Sequence, residues 1–185
     1  MIITKHIEGK VDKNYFYLEG VFEDINCNYF IKKIKDVTKT DNNENYKTHV
    51  KGKMTSWRFF YNDSKFLKLF REIVFYVDHN FNFPKYHLKD AWGYSIQKGE
   101  GSHFHHHNPH AWSGAIYLND HDQALEFPDI RKSFKPKKGG FVLFSSGLTH
   151  GCLPHRSKKI KYGLSFNVAL DSEGFPLTAV DNKDV

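Results

Sequence analysis

With 185 residues and a mass of 21.7 kDa, the chain is long enough to bury a core without a disulfide or metal staple, and too short for two full-sized domains. Hydrophobic residues make up 39% and aromatics 16%, with 17 Phe and 10 Tyr, which excludes wholesale disorder. The net charge, 27 basic against 21 acidic residues or +6, admits an anionic partner but does not call for nucleic acid.

Met1 to His6 carries no apolar secretory segment, and no stretch approaches the roughly 18 apolar residues of a membrane span. The two cysteines, Cys27 and Cys152, form neither a disulfide framework nor a zinc-type pair. A cytoplasmic location and no membrane partner are the expectation. In chain order, residues 1–88 read as charged loops and supporting elements around one strong helix. Residues 38–46 are polar and Asn-rich and predict an exposed loop; residues 36–57 are a candidate mobile segment near the mouth of a site.

The helix is predicted from Ser64 to His79, capped by Asp63 or Ser64. Phe66, Leu67, Phe70, Ile73, Val74 and Val77 recur at three- and four-residue spacing and give it one apolar face. From residue 89 to 170 the texture is β. Trp92, Tyr94 and Ile96 alternate with Gly93, Ser95 and Gln97; Trp112 to Leu118 and Gly140 to Ser145 are further strands. In Tyr162 to Leu170 the even positions are apolar, while Lys161, Gly163, Ser165 and Asn167 share the other face. That polar face either meets water or lines a wet pocket. Short strands at this spacing, beside the predicted helix, suggest a mainly β fold with flanking helices, a sandwich, jelly roll or barrel, in a single domain with a C-terminal tail over 171–185.

The chain has 12 histidines, five of them between His103 and His110. On an extended chain, residues two apart point the same way, so His103, His105 and His107 share a side and His106 faces away. An HxH pair can hold a metal ion, with a third ligand from elsewhere. His150, after the apolar strand Phe141 to Phe144, is the best third candidate.

The order of motifs resembles the iron(II)- and 2-oxoglutarate-dependent oxygenases, in particular small oxygenases of marine cyanophages and bacteria. Three blocks carry the likeness. Trp92 and Gly99 precede His105-His106-His107, with Ser113-Gly114 and Tyr117-Leu118 following in the family's register. Gly139 to Phe144, leading to His150, is similar to the family's strand and distal histidine. Lys161-Tyr162-Gly163-Leu164-Ser165-Phe166-Asn167 is similar to its "R-x-S-x-x-F-N". The match runs over residues 88–170 and more weakly over 49–77.

The resemblance implies a double-stranded β-helix, cupin-like, and a dioxygenase that uses Fe(II), 2-oxoglutarate and O₂. Its reaction would hydroxylate a protein side chain or small metabolite and release succinate; if phage-encoded, the protein would work in the host cytoplasm. It makes His105, His107 and His150 the metal ligands. Lys161 takes the place of the family's arginine toward the distal carboxylate, with Tyr94, Ser165 and Asn167 beside it and Arg156 as a rival cation. Two departures stand out: lysine replaces the forked guanidinium, and His107 stands where many relatives have a carboxylate, for which Asp120 and Asp122 are the nearest substitutes. Trp112, Tyr117 and Arg131 are the candidate substrate residues, with Phe127 a further candidate to border the pocket, although aromatics on strands also fill cores. A cupin-like binding protein without turnover and a basic nucleic-acid-associated protein are the alternatives.

Overall fold

The structure is a computed structural model that describes residues 1–10, 14–40 and 49–171. Its elements are β1 (Ile2–Lys10), β2 (Asn14–Val21), α1 (Cys27–Thr40), β3 (Val50–Lys51), β4 (Lys53–Met54), α2 (Ser64–Asn80), β5 (Tyr86–Ile96), β6 (Gly101–His105) and β7 (Trp112–Tyr117). There follow β8 (Leu125–Phe127), a 3₁₀ turn at Pro128–Ile130, β9 (Lys132–Phe134), β10 (Gly140–Ser145), β11 (His150–Cys152) and β12 (Lys161–Leu170). A seven-stranded sheet runs β1-β2-β10-β7-β12-β5-β4 and a five-stranded sheet β3-β6-β11-β8-β9. All pairings are antiparallel. The two sheets form a jelly roll, one of the architectures the strand spacing leaves open and the one the resemblance implies.

The period of two assigns each strand of the large sheet an outer and an inner face. On β12 the outer residues Leu164, Phe166 and Val168 are fully buried against Phe66, Phe70 and Ile73 of α2 and Phe30 and Ile34 of α1. Burying one such side chain contributes about 1.5–3 kcal/mol. The inner faces meet the small sheet: Tyr17, Tyr117, Val142 and Phe144 pack with Leu125, Phe127, Phe134 and Cys152. The polar face of β12 therefore turns inward, the second of the two readings its alternation allows.

Helix α2 forms where the apolar spacing predicts it. Asp63 is its N-cap, its side chain accepting from the backbone N–H groups of Lys65 and Phe66 at 3.0 Å each. Helix α1 is an addition to the sequence reading. Its buried positions Cys27, Phe30, Ile34 and Thr38 fall at helical spacing, and Asn26 Oδ1 accepts from Tyr29 N at 3.1 Å at its start. Residues 38–40, predicted as loop, are thus the last turn of a helix; Thr38 is buried and donates to Ile34 O at 2.7 Å. Residues 41–46 of that loop, the centre of the 36–57 segment and most of the 171–185 tail lie outside the described residues. β1 and β2 are strands in the N-terminal part, where the sequence reading expects supporting elements without bounds.

Candidate active site

Strands β6 and β11 are antiparallel neighbours in which His105 stands directly opposite His150. Cross-strand partners share a face with their Cβ atoms about 5 Å apart, so the pairing alone brings two imidazoles together. β6 ends at His105, and His107 sits just beyond it, held by a bond from its N–H to Ser146 O at 2.8 Å. Each of the three histidines offers a nitrogen, and these atoms lie within 4.8 Å of one another. Among the described residues this is the one group of three or more His, Cys, Asp or Glu side chains so arranged.

The hydrogen bonds fix which nitrogen is free. His105 Nδ1 lies 2.7 Å from His103 O and His150 Nδ1 2.9 Å from Leu148 O. A carbonyl can only accept, so each Nδ1 carries its proton and each Nε2 presents a lone pair, as in orienting contacts around metal-bound imidazoles. His150 Nε2 and His107 Nε2 are 3.1 Å apart, a spacing that suits two ligands of one ion at bond lengths of about 2.1 Å. Burial lowers the pKa of His105; burial and the neighbouring imidazoles push His107 down to about 2, and chiefly burial takes His150 to about 3. The rings are therefore neutral near pH 7, the state a metal ligand requires.

The loops around the triad are braced from behind. Ser113 on β7 donates to Asn167 Oδ1 on β12 at 2.8 Å, which uses its only proton. Ser146 must then donate to Ser113 across their 2.8 Å contact, and Ser146 O in turn holds His107. Asp129 Oδ2 accepts from Thr149 N at 2.7 Å beside His150. His49 stacks on His105 with ring centres 4.6 Å apart.

The cavity that the triad opens into is also lined by Trp92, Tyr94, Tyr117, Cys152, Lys161 and Ser165, and among the described residues by no aspartate or glutamate. Lys161 is 1% exposed. Among the described residues its one hydrogen-bond partner is Cys152 Sγ at 3.3 Å, and its Nζ lies 6.0 Å from the centre of the Tyr117 ring. Desolvation depresses its pKa, and the Cys152 sulfur opposes that only in part. Tyr94 and Tyr117 share a hydrogen bond, and burial pushes both phenols far up, so they remain protonated. Gly163, between Lys161 and Ser165 on the same face, makes room: a Cβ there would run into the Tyr94 hydroxyl.

Of the residues expected at a site, His105, His107, His150, Lys161, Tyr94, Ser165 and Tyr117 meet at this cavity. Asn167 instead carries the Ser113 brace and is 3% exposed. Trp112 faces the opposite way, fully buried beneath α2 with Phe70 and Phe166, because it begins β7 on the outer face. Phe127 is core, packed against Tyr17 and Phe144. Arg131 is exposed in the left-handed turn after the 3₁₀ segment, at φ 52°, and does not line the cavity. Arg156 is exposed as well. Asp120 accepts from Lys138 N at 2.7 Å and Asp122 pairs with Lys135 at 3.1 Å; neither joins the histidines. Cys152, Ser146, Asp129 and His49 carry no motif of their own and emerge only from the pairing of distant strands.

No protein-family model matches the chain, and no curated protein matches it by sequence. Solved structures do match its fold. A viral collagen prolyl hydroxylase from Paramecium bursaria Chlorella virus-1, in complex with 2-oxoglutarate, is 18% identical with a TM-score of 0.66, over 88% of this chain and 98% of that one. A prolyl-4-hydroxylase from Pseudomonas putida is 13% identical with a TM-score of 0.66, over 84% and 93%. HygX from Streptomyces hygroscopicus, with nickel and 2-oxoglutarate bound, is 11% identical with a TM-score of 0.64, over 83% and 82%. The chain thus has the jelly-roll fold of these proteins. Among the described residues no helix is long and apolar enough to cross a membrane.

Proposed function

We propose that the protein is an Fe(II)- and 2-oxoglutarate-dependent dioxygenase that hydroxylates a protein side chain or a small metabolite. The observation that carries this reading is a single cavity with two unsatisfied features. Three neutral imidazoles converge in it, and a buried lysine stands in it with no carboxylate partner among the described residues. A buried charge without a counter-ion costs several kcal/mol, and a cavity whose described lining holds a lysine and no acid suits an anionic ligand. The solved structures of similar fold that contain 2-oxoglutarate support the choice of anion.

In this reading His105, His107 and His150 hold the iron through Nε2, and Lys161 receives the distal carboxylate of the keto acid. When bound, iron and 2-oxoglutarate together supply oxidation by dioxygen, with release of succinate and CO₂. The chain's own work is placement. The carbonyls of His103 and Leu148 fix the ligand tautomers, Ser146 fixes the His107 loop, and Tyr94 and Ser165 offer hydroxyl groups beside Lys161. Ile96, Leu125 and Phe144 give the cavity apolar walls, which lower the local dielectric and strengthen the lysine–carboxylate attraction.

Three imidazoles bring no negative charge, so the cavity favours a dianionic cosubstrate more than a site with a carboxylate ligand would. The test is succinate formation from 2-oxoglutarate with Fe(II) and O₂. The wild type is expected to form it, and His105→Ala and His150→Ala to reduce it to background. Metal uptake by the wild type with no succinate under any condition would instead assign the cavity to binding without turnover.

A further inference from the structure

We propose that Cys152 and Lys161 are the two halves of an oxidative cross-link, a sulfur–oxygen–nitrogen bridge that forms in dioxygen and silences the anion-binding end of the cavity. The pairing is specific. Cys152 Sγ and Lys161 Nζ lie 3.3 Å apart, one oxygen atom short of a covalent connection. Both groups are buried, at 4% and 1% exposure, and both line the cavity. A lysine in a salt bridge is held away from such chemistry by its carboxylate; among the described residues Lys161 has none, and the thiol is its sole hydrogen-bond partner.

The two residues come from different strands of different sheets, β11 and β12, so the bridge would tie the sheets together across the cavity. Dioxygen is small and apolar enough to enter a space walled by Ile96, Leu125 and Phe144. Larger oxidants and thiols enter less readily.

The reaction balances as follows. The Lys161 ammonium sheds one proton to solvent. The Cys152 S–H bond and one N–H bond then break, and an S–O and an O–N bond form. One atom of dioxygen becomes the bridge and the other leaves as water with the two displaced hydrogens. Sulfur and nitrogen each give up two electrons, which together reduce dioxygen by four. The product nitrogen is a weakly basic hydroxylamine type, so the cation that the proposed function assigns to the 2-oxoglutarate carboxylate disappears. That consequence rests on the proposed function, whereas bridge formation does not.

The experiment is intact-mass and peptide analysis of the full chain, purified under reducing anaerobic conditions and then held in air-saturated buffer with a metal chelator. The expected result is a gain of about 14 Da, one oxygen added and two hydrogens lost. Trypsin should no longer cleave after Lys161, and a thiol reductant should restore both the mass and the cleavage. Cys152→Ser, nearly isosteric and retaining the contact to Nζ, should gain nothing. The bridge is overturned if Cys152 remains fully alkylatable after exposure, or if the gain is about 16 or 32 Da on Cys152 with Lys161 still cleaved. The silencing is tested on the bridged fraction by 2-oxoglutarate binding after Fe(II) is restored. At least a tenfold loss against the reduced chain is expected, and equal binding would overturn it. The mass readout involves no 2-oxoglutarate, so failure of the cross-link and failure of the proposed activity are separable.

Discussion

Two charged side chains are buried in different regions of this molecule, and their surroundings differ. Asp63, 8% exposed, sits in the helical layer outside the large sheet. It caps α2, accepts from Tyr29 at 2.7 Å and pairs with Lys33 at 2.8 Å. Lys161, 1% exposed, sits inside the jelly roll with a thiol for company. A charge that serves the fold is answered by the chain itself, because an unanswered one would cost stability. A charge left without a counter-ion among the described residues is open to an anionic ligand.

The contrast can be broken from either side. The largest effect is expected at Asp63: Asp63→Ala removes the cap and strands Tyr29 and Lys33, at about 2–3 kcal/mol of unfolding free energy. Denaturant titration measures it. A loss below about 0.5 kcal/mol would mean that this charge is not needed by the fold. At Lys161 the expectation is reversed. Lys161→Met should leave the ligand-free protein within about 1 kcal/mol of wild type or more stable, while 2-oxoglutarate affinity falls by about 2 kcal/mol, roughly 30-fold. A Lys161→Met chain as unstable as Asp63→Ala would erase the distinction.

Two smaller effects sharpen it. Ser113→Ala interrupts the brace between Asn167 and Ser146 and should cost about 1 kcal/mol of stability. Because Ser146 O holds His107, metal affinity should also fall, by about tenfold; isothermal titration with a divalent ion reads this out. The smallest concerns pH. Burial by itself would raise the Asp63 carboxyl, but Lys33, Tyr29 and the Phe66 N–H together hold it below the ordinary carboxylate range. A depressed carboxyl contributes stability that is present above its unfolded pKa of about 4 and is lost as pH falls through the folded value. Stability measured from pH 5 down to pH 2 should therefore fall more steeply in the wild type than in Asp63→Asn.

The two regions were also unequally legible in the sequence. The histidine cluster can be read there, but HxH spacing alone leaves His103 and His105 as open a pair as His105 and His107; only the family resemblance singles out His105 and His107 with His150. The alternation in Lys161 to Leu170 marks a polar and an apolar face, yet alternation cannot distinguish a face in water from one in a cavity; only the second sheet decides that. Trp112 shows the same limit: one position along β7 separates the cavity from the space beneath α2, and an aromatic residue suits either. Cys152 carries no local signal, because it lacks a neighbouring ligand in the chain and its partner lies on another strand. Helix α1 is hard to read although Phe30, Ile34 and Thr38 keep helical spacing, because its many lysines mask the apolar stripe. What remained illegible depends on pairings between strands far apart in the chain.

The central claim, that the triad and the open lysine together form a site for iron and a keto acid, is tested most directly by anaerobic titration with Fe(II) and then 2-oxoglutarate, followed by visible absorbance. Chelation of protein-bound Fe(II) by the keto acid produces a metal-to-ligand charge-transfer band. The account predicts that the band appears in the wild type, is absent in His150→Ala, and requires much higher 2-oxoglutarate in Lys161→Met. Iron uptake with no band at any 2-oxoglutarate concentration would contradict it.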